Sequence, residues 1–118
     1  MIKKTITYKD FNGNENTDTF YFNLSEAELS MMEVKFKGGL SNYIKEAVDA
    51  GDNAKLITLF NDVLLEAYGI KSEDGKKFVK SEAIKEDFKS SAAFSKIFMS
   101  VCTDEKEADA FIKGIINQ

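Results

Sequence analysis

Thr19-Phe20-Tyr21-Phe22-Asn23-Leu24-Ser25-Glu26-Ala27-Glu28-Leu29 changes its period in the middle. Up to Leu24, the apolar residues Phe20, Phe22 and Leu24 alternate with Thr19, Tyr21 and Asn23, which is the two-residue period of a strand with one covered face. At Ser25 the chemistry turns helical. Ser25 is a candidate N-cap, and Glu28 three residues later completes a capping box. Leu24 before the cap and Leu29 after it can close over it as a hydrophobic staple. A strand therefore runs straight into a helix here.

Upstream, Ile2, Ile6 and Tyr8 share one face, with Lys3, Thr5 and Thr7 on the other. Lys4 interrupts the apolar face. Asp10-Phe11-Asn12-Gly13-Asn14-Glu15 between the two alternating runs is a turn signal, so the first segment reads as a β-hairpin. Its register can be argued. A two-residue Asn12-Gly13 turn would set Phe20 opposite Thr5 and Thr19 opposite Ile6, sending apolar residues to opposite faces. Keeping Ile6 with Phe20 or Phe22 requires an odd-length loop or a bulge. A lone hairpin is marginal in water, so it must lean on helices, and its open edges could pair with another chain.

Downstream the pattern is helical almost throughout. Met31, Met32, Val34 and Phe36 give the first helix a wide apolar arc, ended by Gly38-Gly39. Leu40, Tyr43, Ile44, Ala47 and Val48 form one stripe, with Ser41 as expected cap and Gly51 as stop. Leu56 to Tyr68 is apolar nearly all round, which predicts a central helix. Gly69 fits its C′ position, with Ile70 packing back on Leu65. Residues 70–80 are the most polar stretch and read as a loop or small turn anchored by Phe78 and Val79. Ser81 is the expected cap of a fourth helix bearing Ile84 and Phe88, and Ser90-Ser91 is a break. Phe94, Ile97, Phe98 and Val101 make another stripe. Thr103 is the expected cap of a last helix carrying Ala108, Phe111, Ile112 and Ile115. The architecture expected is α+β in a single domain over 1–118. A hairpin over about 2–23 packs on five or six short helices over about 25–37, 41–50, 53–68, 82–89, 92–101 and 104–116.

Composition narrows the function. Of 118 residues, 43% are apolar and 31% charged, which suits a folded chain and excludes a fibre. No apolar run could span a bilayer, and Met1 leads into a strand-like segment with no secretory pattern. His, Trp, Pro and Arg do not occur, and the net charge is −4. Missing His removes the usual general base and the commonest transition-metal ligand. Missing Arg removes the bidentate fork for phosphate or guanine, and the acidity opposes a nucleic-acid groove. One cysteine, Cys102, excludes an internal disulfide and fits a reducing compartment. The expectation is a binding or structural role, with no catalysis, cofactor, metal, nucleic acid or membrane.

Individual motifs support this. Gly69…Gly75-Lys76 fails as a phosphate loop: five residues separate the glycines where four are needed, and Lys77 stands at the magnesium-binding hydroxyl position. Asp49, Asp52 and Asn53 around Gly51 lack calcium-loop spacing and read as a helix end followed by a cap. Glu26 with Glu28, and Glu105 with Glu107, sit at helix starts, where negative charge is stabilised without any catalytic role. Cys102 has no histidine to activate it. Lys76, Lys77 and Lys80 around Phe78 are neutralised by Glu73, Asp74 and Glu82.

Three segments together carry a resemblance. They are Phe22-Asn23-Leu24-Ser25-Glu26-Ala27-Glu28-Leu29 after the Phe11-Asn12-Gly13 hairpin, the run Tyr68-Gly69-Ile70-Lys71-Ser72-Glu73-Asp74-Gly75-Lys76-Lys77-Phe78, and Phe88 to Phe98 with Ser91, Ala93, Phe94 and Ser95 between. In this order the chain resembles the tail assembly chaperones of long-tailed bacteriophages of low-GC Gram-positive hosts, and the lysine-for-arginine bias is in keeping with an AT-rich genome. The resemblance implies a protein that acts in the host bacterial cytoplasm and is absent from the mature virion. It implies a partner, the tape measure protein, a long and largely helical apolar chain kept soluble until the tail tube polymerises around it. Rival readings are a small phage protein that binds or inhibits a host protein, and a structural tail subunit. For partner contacts the sequence offers Met31, Met32 and Phe36, methionine being adaptable at apolar grooves, with Phe94, Ile97 and Phe98 as a second group. Self-association through the hairpin edges stays open.

Overall fold

The computed structural model describes residues 1–36 and 38–116, apart from the side chain of residue 116. Strand β1 (Ile2–Lys9) pairs antiparallel with β2 (Glu15–Phe22). Six helices follow among the described residues: α1 (Glu26–Lys35), α2 (Leu40–Asp49), α3 (Asn53–Ala67), α4 (Glu82–Lys89), α5 (Ala92–Thr103) and α6 (Glu105–Ile116). The architecture is α+β.

The hairpin has the odd-length loop that its pattern demands. The Gly13 amide donates to the Asp10 carbonyl, and the Asp10 amide donates to the Asn14 carbonyl, so Phe11, Asn12 and Gly13 form a three-residue loop. Gly13 takes φ 83°, the left-handed conformation that closes such loops. Both Asp10 carboxylate oxygens are used, one by the Asn12 and Asn14 amides and one by the Asn16 side chain. The resulting register sets Ile2 opposite Phe22, Lys4 opposite Phe20 and Ile6 opposite Asp18. On the open face Thr5 bonds Thr19 and Thr7 bonds Thr17 through their hydroxyls. Lys4 does face the helices, and its ammonium meets the Glu107 carboxylate at 2.6 Å.

The hairpin is not the whole sheet. The stretch read as a loop forms a second hairpin, β3 (Tyr68–Lys71) and β4 (Phe78–Val79), and β3 pairs antiparallel with β2 to give a four-stranded sheet of order β1-β2-β3-β4. Three expectations change with it. Helix α3 ends at Ala67, because Tyr68 turns extended at ψ 140°. Gly69 does stand at C′, directly after the C-cap Tyr68, but it continues as a strand residue opposite Tyr21 and does not take the left-handed conformation of a Schellman-type ending. Ile70 is half exposed instead of folding back on Leu65.

Caps explain most helix limits. The Ser25–Glu28 capping box forms, and the side chains of Asp52, Ser81 and Ser91 cap α3, α4 and α5. Helix α1 ends with Phe36 as C-cap, and the expected limit at Lys37 lies outside the described residues. Ser41 does not cap α2, since Leu40 already opens that helix behind Gly39. Thr103 does not cap α6 either. It is the last residue of α5 and donates to the Met99 carbonyl, while the Asp104 carboxylate accepts from the Lys106 amide. A carboxylate at a helix N-terminus gains from the helix dipole as well as from the hydrogen bond, which favours it over the hydroxyl.

The core is one cluster. Phe22, Leu24, Leu40, Val63, Leu64, Ile97, Val101, Phe111 and Ile115 are fully covered, and none of the described buried residues is polar or charged. Phe22 meets Tyr68, Phe88 and Phe111, and Tyr68 stacks on Phe88 at 4.0 Å. Lys80 ties three elements. Its ammonium donates to the carbonyls of Asn23 and Glu66 and to the Glu28 carboxylate, at 2.7, 2.8 and 2.7 Å.

That tie has a pH signature. Partial burial pushes the Glu28 carboxyl up, but the bonds from Lys80 and the Ser25 amide outweigh it and hold it below its ordinary 4.5. A carboxylate depressed by folding stabilises above its unfolded value, and that contribution disappears as pH falls through the folded value. Glu28→Gln should therefore unfold with a shallower loss of stability below about pH 4.5 than the parent chain. Urea titrations at neutral and acid pH would show it, and identical acid slopes would contradict the assignment.

Candidate functional site

The structure separates the residues singled out for partner contact. On α1, Met31 points outward at 76% exposure, while Met32 enters the core. Phe36 is half-buried and its ring lies 4.7 Å from Tyr43. Val34, beside them, is 88% exposed. On α5, Ile97 is a core residue. Phe94 and Phe98 are half-buried and stack on each other at 5.8 Å, and Phe94 also meets the edge of Phe88. Met31 with Val34, and the Phe94–Phe98 pair, therefore remain at the surface, with Met32 and Ile97 behind them.

A larger feature lies elsewhere. Helices α2, α3 and α6 and the α5–α6 turn enclose an open groove of about 760 Å³. Its floor is Ile44, Val48, Leu56, Phe60, Ala108 and Ile112. Asp104, Glu105, Lys106 and Asp109 form one rim, and Asn53 stands on the other. The groove follows from the caps. Gly51 at φ 65° turns α2 back against α3, so the α2 stripe is shared between α3 and open space. Val48, the last residue of that stripe, is 58% exposed at the groove.

Sequence reading placed Ile44, Val48, Leu56, Ala108 and Ile112 on apolar faces but did not bring them together. The usable signal was width: the faces of α2, α3 and α6 carry more apolar residues than their neighbours can cover.

The groove is lined by apolar side chains with charged residues at its edge. Cys102 borders the groove, and burial pushes its thiol above the ordinary range, away from the reactive thiolate. Among the described residues, no three acidic or cysteine side chains converge as metal ligands would. The Gly75-Lys76 loop is closed on itself. The Lys76 amide donates to Asp74, the Lys77 amide to the Ser72 hydroxyl and the Gly75 amide to the Ser72 carbonyl.

A family model described as phage tail assembly chaperone matches residues 1–118, the full sequence. The chain belongs to that family. It matches no curated protein and no solved structure. Membership implies that this chaperone binds other tail proteins and indicates a non-enzymatic role. No described helix is long and apolar enough to cross a membrane.

Proposed function

We propose that this chaperone binds the tape measure protein during tail assembly and keeps it soluble, acting in the cytoplasm of the infected bacterium, catalysing nothing and leaving before the virion matures. The observation that carries the reading is the groove: a wide apolar floor, open to solvent, inside a charged rim. Such a surface can cover the apolar side of a partner helix while the rim and the net charge of −4 keep the pair dissolved. Met31 and Phe36, with Met32 in the core beside them, and the Phe94–Phe98 pair, with Ile97 in the core, serve as separate secondary contacts outside the groove.

Co-expression tests it. The tape measure protein should pellet when made alone and stay in the supernatant with this chain. Val48→Lys puts a charge on the groove floor at an exposed position, so it should send most of the partner back to the pellet while the chaperone stays folded. Met31→Lys should weaken rescue less. A partner that precipitates regardless of the wild-type chain would refute the reading. Recovery of this chain from purified virions would replace it with a structural tail subunit.

A further inference from the structure

We propose that the groove selects an amphipathic helix whose apolar ridge is flanked by lysine or arginine. This rests on the groove being the docking site, and it adds the chemistry of the occupant. Size comes first. An α-helix about 10 Å across rises about 5.4 Å per turn, or roughly 420 Å³ per turn. A groove of about 760 Å³ therefore accepts the inner half of three to four turns. The floor residues Ile44, Val48, Leu56, Ala108 and Ile112 are aliphatic and Phe60 adds a ring, so the surface offered is apolar side chain, as the inner face of a helix requires.

Charge decides between occupants. Asp104, Glu105 and Asp109 stand on the α6 rim against Lys106. On the opposite wall, Val48 and Asn53 are next in sequence to Asp49 and Asp52. Three further lysines lie on these helices: Lys45 is exposed beside the equally exposed Glu46, Lys113 pairs with Asp109 at 2.9 Å, and Lys55 sits over the Tyr43 ring at 4.5 Å. Among the residues that line the groove, the carboxylates of Asp104, Glu105 and Asp109 outnumber the single ammonium of Lys106, so the rim attracts a basic flank and repels an acidic one. A second copy of this chain fits poorly. An exposed apolar face of its own, Met31 and Val34 on α1, lies on a helix that carries Glu26, Glu28 and Glu33 against Lys35. Inserting it would set a helix in which carboxylates outnumber ammonium groups against an acidic rim.

The test uses the purified chain and two fluorescent helical peptides with the same leucine ridge, one flanked by lysine and the other by glutamate. The lysine peptide should bind at least about 10-fold tighter at low salt, and 1 M salt should shrink the difference as the screening length falls to about 3 Å. Glu105→Lys with Asp109→Lys, both at exposed positions, should abolish the preference. Equal binding of the two peptides, both blocked by Val48→Lys, would overturn the charge selection and leave the docking reading standing. Binding of neither peptide, or binding indifferent to Val48→Lys, would overturn both. Self-association in sedimentation, dispersed by Val48→Lys, would make a second copy the occupant and overturn the proposal.

Discussion

Phe22→Ala is expected to lower the unfolding free energy by about 3–5 kcal/mol. Phe22 is 0% exposed at the end of β2, and its ring centre lies 5.9 Å from Tyr68, 5.8 Å from Phe88 and 5.7 Å from Phe111. Those rings belong to β3, α4 and α6, so one side chain joins the sheet to two helices. Truncation removes buried apolar area and leaves a cavity among large, mutually wedged rings, which collapse poorly into it. Each lost ring pair adds about 0.5–1.5 kcal/mol beyond area. A domain of this size has only about 5–15 kcal/mol to lose, so the variant should be close to unfolding at 37 °C. Equilibrium urea denaturation measures it, with Phe22→Leu as the variant that keeps most of the bulk. A loss under about 1 kcal/mol would mean that Phe22 is not the hub described.

Gly69→Ala is the second large effect, expected to cost about 1–3 kcal/mol and to loosen β4. A methyl at Gly69 would fall 2.6 Å from Phe78 Cε2 and 2.9 Å from the Val79 carbonyl oxygen. The ring could swing aside, but the oxygen belongs to the strand paired with β3 and cannot move without parting the hairpin. Combining Gly69→Ala with Phe78→Ala therefore relieves half of the clash. The pair should couple, and the double variant should lose less than the sum of the two single variants. Amide exchange at Ile70 and Val79 should quicken in Gly69→Ala. Unchanged protection there would show that the approach is looser than the structure has it.

The same glycine shows where the sequence stopped being readable. Tyr68-Gly69-Ile70-Lys71 directly continues the apolar run of α3, and glycine suits a helix C′ position as well as a strand packed under an aromatic ring. Only the partner decides, and the partner, Tyr21, lies far back in the chain. By contrast, the β1–β2 register was legible because both faces of the pattern constrain it within one short hairpin, and an even loop would have split them. Caps followed the same logic: Ser25 with Glu28 was readable locally, whereas the choice between Thr103 and Asp104 turned on one residue of helix phase. The groove was the least legible feature. Each apolar face was visible, yet which of them meet, and how much stays uncovered, is set by the turn at Gly51 and the packing of α6. Met31 and Met32 make the point in miniature, adjacent in sequence and on opposite sides of the surface.

The sheet has two rims, and both are blunt. β4 is two residues long, and β1 carries Lys3 and Lys9 near its ends, with the Lys96 ammonium seated on the Thr7 carbonyl. Lysine and brevity are what deter strand-by-strand growth between molecules. The groove, by contrast, is built from helices, where contact with another chain is side chain to side chain and can be undone. At the sheet rims, where exposed backbone would template a fibre, charge and brevity stand in the way.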